Sequence, residues 1–243
     1  DSNMMEEAKT PVKEAGERVK FKIGSFQKLA VQPLKFNIYD EQGKEITPDY
    51  LQTHNEHKVH FVLISANLKE YQHLHPDYRG GVWNVSANMP SIGTYYAYID
   101  IVPVKGSPLV FRSDLIVRDA LAENMAYPGL NMDMTALTDG IQSKLTVEPA
   151  QVNTESKLSF ALTTGGAPID SIKPYLGALG HVIVVHQGDP NSYTHVHPLA
   201  VQDETKGVVD FSTTFEKKGR YTAFAEFNVG GKVRMFRTTF DIK

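Results

Sequence analysis

Six histidines fall into two similar groups along this chain. Each group has one histidine at the start of an apolar segment and then a His-x-His-Pro: His60 with His73 and His75, and His181 with His195 and His197. Because side chains two residues apart on a strand share a face, the two imidazoles of each His-x-His start about 7 Å apart. That spacing allows both rings to bind one metal ion.

The lone histidine of each group is predicted to lie beside its His-x-His pair. His60 and His181 begin the preceding apolar segments, and the start of one strand of an antiparallel hairpin lies beside the end of the next. Three imidazoles from two strands leave one coordination position for water or a carboxylate. Such a set suits zinc, copper(II) or nickel and does not choose among them.

Asp100 and Glu226 are candidates for a fourth group, because each follows an aromatic strand at an equivalent position. An unpaired carboxylate is costly to bury, so each acid requires a partner. It could ligate the metal, orient a ligand imidazole, or pair with Arg112 or Arg237. Pairing with arginine is preferred over ligation.

A bland interpretation of each His-x-His-Pro is a turn whose imidazoles cap backbone groups, and duplication alone does not exclude it. Metal binding in at least one copy is favoured because all three histidines are kept while neighbouring positions, such as Val59 and Gly180, differ. His54 and His57 occur only in the first copy, in a loop, residues 52–58, that is predicted to be longer than its counterpart, residues 177–180. The two side chains are predicted to be solvated; as an alternative, they could make the first copy the tighter site. His186 has no predicted role.

The histidine groups belong to an internal duplication that covers most of the chain. Short alternating strands bounded by turns recur with an offset near 124: 158 − 34 = 124 at the Leu pair and 195 − 73 = 122 at the His pair. This pattern predicts an all-β chain of two tandem antiparallel β-sandwich domains, cupredoxin-like or immunoglobulin-like. The predicted parts are a flexible lead at residues 1–18, domains at 19–118 and 142–243, and a linker at 119–141.

Methionines are concentrated in the predicted linker, which contains Met125 and Pro128. The segment Asn131-Met132-Asp133-Met134 could bind a soft metal through two thioethers. Packing of these side chains against the domains is the preferred interpretation.

Composition excludes several classes of site and partner. There are no cysteines, so disulfides, thiolate metal sites and a cysteine nucleophile are excluded. The net charge of −3 does not favour nucleic acid as a partner. No apolar run approaches the roughly 20 residues of a membrane-spanning helix. The opening Asp1-Ser2-Asn3 is interpreted as the start of an exported mature product or of a trimmed chain.

The segment from Leu179 to Val185, with Tyr193-Thr-His195-Val-His197-Pro198, resembles a motif of exported bacterial β-sandwich proteins, cupredoxin-like or immunoglobulin-like, found near heavy-metal efflux genes. The resemblance covers most of both domains. It implies a periplasmic or extracellular location, handling of copper or a similar metal, and a metal efflux or delivery partner. The missing cysteine argues against blue-copper electron transfer.

Three functions are compatible with these features. The leading hypothesis is an exported protein that holds a copper or zinc ion in a three-histidine site per domain for storage, delivery or detoxification. The main alternative is a structural or adhesive tandem β-sandwich without metal. A zinc-dependent hydrolase is less favoured, because the sequence contains no clear general base or nucleophile motif.

Overall fold

A computed structural model describes residues 9–27, 30–119, 129–199, 202–203 and 205–243. The predicted all-β class is confirmed, and the chain divides into two compact units, Asp1–Tyr127 and Pro128–Lys243, called domain 1 and domain 2 below. Within the described ranges, no helix combines the length and apolar character that a membrane crossing requires.

Domain 1 consists of two β-sheets whose apolar faces enclose a common core. The histidine sheet has the strand order β1-β10-β9-β5-β6, with β3 on β10, and the second sheet has the order β2-β4-β8-β7. Two short 3-10 helices, Gly16–Arg18 and Pro48–Tyr50, connect strands. The strands are β1 Val12–Glu14, β2 Val19–Phe21, β3 Ser25–Phe26, β4 Ala30–Ile38, β5 Val59–Ser65, β6 Tyr71–Leu74, β7 Asp77–Arg79, β8 Val82–Met89, β9 Gly93–Ile101 and β10 Leu109–Val117.

Domain 2 repeats this plan. Its histidine sheet has the order β15-β19-β16-β17, with β20 on β19, and its second sheet has the order β11-β12-β13-β14, with β18 on β13. The strands are β11 Thr135–Thr138, β12 Ile141–Glu148, β13 Glu155–Thr164, β14 Ala167–Pro168, β15 Ile172–Lys173, β16 His181–His186, β17 Asp189–Val196, β18 Val208–Thr214, β19 Gly219–Val229 and β20 Lys232–Ile242.

Alternation of apolar and polar residues places one face of each strand in the core. On β4, Leu34, Phe36 and Ile38 are buried against Phe61 and Leu63 of β5 in the facing sheet. On β12 every second residue from Ile141 to Val147 is buried. This period of two is what a half-buried strand requires, and it explains why the sequence pattern was sufficient to predict a sandwich.

The N-terminal segment differs from the predicted flexible lead. Val12–Glu14 forms β1 and pairs in parallel with β10, and Gly16–Arg18 forms a 3-10 helix. The Arg18 Nε donates a hydrogen bond to the Tyr39 carbonyl oxygen at 2.7 Å. Short parallel pairings of β1 and β3 with β10 therefore add to the expected antiparallel sheets. Residues 1–8 lie outside the described residues.

The predicted linker also contains ordered structure. Thr135–Thr138 forms β11 and pairs with β12, whose first residue, Ile141, is buried in the core of domain 2. The strand escaped prediction because its four residues are too few to show a clear alternation. Residues 120–128, with Met125 and Pro128, lie outside the described part of the chain.

Next to the lone histidines, the two domains differ in how a pair of neighbouring positions divides the available space between its side chains. In domain 1, Val59 pairs with Ile101 across β5 and β9. In domain 2, Gly180 precedes β16, and a Cβ placed on it would lie 2.5 Å from Cε1 of Phe227. The larger ring of Phe227 thus occupies the space that a side chain at position 180 would need.

We expect Gly180→Val to destabilise domain 2 by about 1–3 kcal/mol, the usual cost of overpacking. The double variant Gly180→Val/Phe227→Ile recreates the pair of domain 1 and should recover most of that loss. Calorimetric unfolding of both variants measures the effect. If Gly180→Val alone were as stable as the wild type, Phe227 would not occupy the space that a side chain at position 180 needs.

Candidate functional site: a histidine cluster in domain 1

Strand register brings the predicted site residues of domain 1 to one place on the histidine sheet. His60 of β5 lies directly opposite Asp100 of β9. On the other side, Val62 pairs with His73 of β6, a register that sets His75, just past the end of β6, beside His60. Residues opposite each other share a face, so the four side chains emerge on the same side of the sheet.

The three predicted histidines converge closely. One ring nitrogen from each of His60, His73 and His75 can be chosen so that all three lie within 4.8 Å of one another. Nδ1 of His60 lies 3.1 Å from Nε2 of His73. The ring centroid of His75 lies 4.9 Å from that of His60 and 4.9 Å from that of His73.

A backbone carbonyl determines the tautomer of His60. Its Nε2 lies 2.7 Å from the carbonyl oxygen of His54, which can only accept a hydrogen bond, so Nε2 carries the proton. In the neutral ring Nδ1 then has a lone pair, which accepts a hydrogen bond from Nε2 of His73. Metal-ligating histidines are commonly oriented by such a bond from the other ring nitrogen.

Burial also keeps His60 in the form that could ligate a metal. The side chain is 4% exposed, and the loss of hydration on burial lowers the pKa of His60 to about 4. The ring is therefore neutral at physiological pH, as a ligand must be.

Two further histidines, which the sequence suggested were solvated, are half-buried in the cluster. His57 stacks on His75 with a centroid distance of 3.7 Å and an angle of 10° between the rings. The His54 ring lies 4.5 Å from that of His60, and its Nε2 lies 3.5 Å from Oδ1 of Asp100. Both His54 ring nitrogens are buried and form no hydrogen bond within the described structure.

Asp100 contacts the histidine turn, whereas Arg112 contacts other acids. Oδ1 of the Asp100 carboxylate lies 3.5 Å from Nε2 of His54. Nε of Arg112 lies 3.2 Å from Asp114, and its Nη2 lies 3.6 Å from Glu14. These contacts associate Asp100 with the histidines, which the preferred arginine pairing did not anticipate.

Domain 2 has the same arrangement of three histidines, but their ring nitrogens are less closely grouped. Nε2 of His181 lies 2.5 Å from the Tyr175 carbonyl oxygen, and the His181 and His195 ring centroids are 5.8 Å apart. His195 and His197 are 4.8 Å apart, and His197 is exposed. In the described part of the chain, this trio does not meet the 4.8 Å grouping that His60, His73 and His75 satisfy.

The remaining candidates lie as follows. Glu226 is buried and lies opposite His181, as Asp100 lies opposite His60. His186, which had no predicted role, forms a structural corner: its Nε2 lies 2.8 Å from the Lys218 carbonyl, and its Nδ1 accepts from the Gly188 N–H.

Met132 and Met134 of the predicted linker differ in solvent exposure. Met134 packs against the core of domain 2, whereas Met132 is 54% exposed. Asp133 is held by backbone hydrogen bonding to Thr239. Met134 therefore follows the predicted packing role.

Comparison with solved structures returns chains of low similarity. Trypsin-activated α2-macroglobulin from Escherichia coli is 11% identical with a TM-score of 0.27, over 94% of this chain but only 16% of that one. The D0-D1 domain of intimin is 10% identical with a TM-score of 0.24, over 92% and 96% of the two chains. A tetra-tandem repeat from a large adhesion protein is 10% identical with a TM-score of 0.27, over 97% and 50%. Identities and TM-scores this low do not indicate a function.

No curated protein matches the chain. One family model, described as a domain of unknown function, matches it twice, at residues 12–117 and 135–243. Each match covers the strands of one domain, in agreement with the duplication. The chain therefore belongs to the DUF8832 family and carries two copies of its domain.

Proposed function

We propose that domain 1 binds one divalent transition-metal ion, copper or zinc, through His60, His73 and His75. The observation that carries this proposal is the 3.1 Å approach of His60 Nδ1 to His73 Nε2. Two nitrogens bound at 2.0–2.1 Å to one tetrahedral ion are about 3.3–3.4 Å apart. The two atoms therefore need to separate by only a few tenths of an ångström to bind the same ion.

The surroundings of the three rings support a metal-binding role. The His54 carbonyl keeps the proton of His60 on Nε2, so that Nδ1 can bind an ion without a change in the tautomer of His60. The proton of His73, which Nε2 donates to this atom, moves to the other nitrogen of the His73 ring. Asp100, opposite His60, brings a carboxylate to the same face of the sheet. A carboxylate beside three neutral imidazoles offsets the charge of a divalent cation and could also fill a fourth position.

The biological role that follows is storage, delivery or detoxification of the ion in the periplasm or outside the cell. The resemblance to exported proteins near metal-efflux genes supports this location, and the cysteine-free composition is compatible with it. A metal efflux or delivery protein would be the partner. Binding without turnover is the expected behaviour of such a module.

The test compares metal content between matched variants of the two domains. After equilibration with zinc or copper(II) and removal of free metal, the wild-type chain should retain one ion by elemental analysis. The variant His73→Ala/His75→Ala should retain none, and His195→Ala/His197→Ala, the equivalent change in domain 2, should retain one. Retention of the ion by the first variant would overturn the assignment.

A structural or adhesive module without metal is the second candidate, and one observation favours it. The bond from the lone histidine to a backbone carbonyl occurs in both domains, to His54 in one and to Tyr175 in the other. A bond that persists without a tight cluster in domain 2 can serve simply to attach the preceding turn to the strand. This candidate predicts a metal-free protein whose melting temperature zinc and copper leave unchanged.

A further inference from the structure

The turn that precedes the lone histidine has the same backbone in both domains. In domain 1 it is closed by mutual backbone hydrogen bonds between His54 and His57, at 2.9 and 3.2 Å, and in domain 2 by those between Tyr175 and Ala178, at 2.7 and 3.2 Å. Both central residues have positive φ in each turn: 45° and 70° at Asn55 and Glu56, then 49° and 77° in domain 2. This is the geometry of a type I′ turn.

The equivalence is exact in sequence as well. The offsets are 175 − 54 = 121, 178 − 57 = 121 and 181 − 60 = 121. The two loops thus have equal length, and the expectation of a longer loop in domain 1 was wrong. Because the backbones agree, the domains differ here in the side chains that the turn presents: His54 and His57 against Tyr175 and Ala178.

These side chains lie against the cluster. Residues bridged in a turn of this kind point to the same side, and the His57 ring lies 3.7 Å from His75 and 5.9 Å from His60. The lone pair of each ring nitrogen lies in the ring plane, so the His57 ring must turn from its stacked orientation to direct a nitrogen at an ion bound by His75, and the 3.7 Å separation of the rings puts that ion within its reach. In domain 2 Ala178 has no donor atom at this position, and the Tyr175 ring meets His181 edge-on at 5.5 Å.

We propose that this turn decides which domain binds metal, with His57 as a fourth imidazole ligand and the pair of His54 and Asp100 as positioning residues. The inference rests on the proposed function and deepens it. Four imidazoles select a first-row transition ion, such as zinc, copper(II) or nickel, over magnesium or calcium, which prefer oxygen ligands. Domain 2 keeps the fold of the site without the ligands that complete it.

The test exchanges the two turns. In one variant, Tyr175→His/Ala178→His places the histidines of domain 1 in domain 2, which should then bind a second zinc or copper(II) ion. In the other, His54→Tyr/His57→Ala places the residues of domain 2 in domain 1. Its dissociation constant should rise at least about tenfold, the lower end for groups that orient ligands. Isothermal titration with each metal, and with magnesium as a control, gives the number of bound ions and the dissociation constant for each variant.

The outcomes separate the inference from the proposed function. One ion in the wild type, two in the grafted variant and weakened binding in the reverse exchange support the inference. A wild-type dissociation constant in the reverse exchange, no second ion in a correctly folded graft, or two ions in the wild type overturns it and leaves the metal function standing. No ion in the wild type overturns both. Circular dichroism confirms the fold of each variant, and the reverse exchange is decisive even if the graft does not fold.

Discussion

Zinc or copper(II) should raise the melting temperature of domain 1 by on the order of 15 °C when the free ion exceeds its dissociation constant about 1,000-fold. An ion that binds only the folded state stabilises it by about 4 kcal/mol under these conditions. For a domain of this size, 1 kcal/mol corresponds to a shift of about 4 °C or more. Trp83, the single tryptophan, is buried in β8, so its fluorescence reports the unfolding of domain 1 directly.

His60→Ala is the variant that tests the source of this shift. The change removes the ring whose Nδ1 faces His73, so the rise in melting temperature should disappear. His181→Ala makes the same change in domain 2 and should keep the full rise. An equal rise in the wild type and in His60→Ala would show that the ions bind elsewhere. The metal-free melting temperature of each variant is the reference for its own shift.

Phe36→Ala should destabilise domain 1 by about 3–5 kcal/mol, the usual cost of truncating a buried aromatic residue. Phe36 is fully buried, with ring centroids 5.1 Å from Phe21 and 5.7 Å from Phe61. Truncation leaves a cavity between the two sheets, because the surrounding strands are fixed by their ladders. Unfolding by urea, followed through Trp83, measures the loss; Trp83 pairs with Phe36 across β8 and β4.

Val31→Ala is the matched control on the same strand. Val31 is 64% exposed, so its truncation should change the free energy of unfolding by no more than about 0.5 kcal/mol. Similar losses in the two variants would contradict the assignment of Phe36 to the core. Phe36 lies in the second sheet of domain 1, so Phe36→Ala should still bind the ion while the domain is folded.

The convergence of the domain 1 histidines was predictable because it depends on short-range rules. Alternation along β6 and the residue after it sets His73 and His75 on one face, and the hairpin brings His60 beside them. Both rules depend on backbone geometry that is the same in every antiparallel pair. The duplicated sandwich was predictable for a similar reason, since its strands repeat a period of two in the same order.

The contacts of His54 and His57 with the cluster were not predictable from the same rules, which left a tighter site in the first copy only as an alternative. His54 and His57 lie in a polar stretch of seven residues, and such composition usually indicates a solvated loop. The signal that could have revealed them is the constant offset of 121 to Tyr175 and Ala178, which indicates a shared turn. The contact of Asp100 with His54 was equally inaccessible, because it joins a strand to this turn.

The sequence by itself determined the all-β class, the duplication and the identity of the three histidines in each copy. These depend on patterns in residue type that local backbone geometry converts into strands and faces. Only the tertiary structure decided that one ring nitrogen from each of His60, His73 and His75 lies within 4.8 Å of the others, a grouping that the described histidines of domain 2 do not meet. It also decided that the turn places His57 against His75. Side-chain convergence depends on differences of an ångström or two in packing between distant segments, and spacing along the chain does not specify distances of that size.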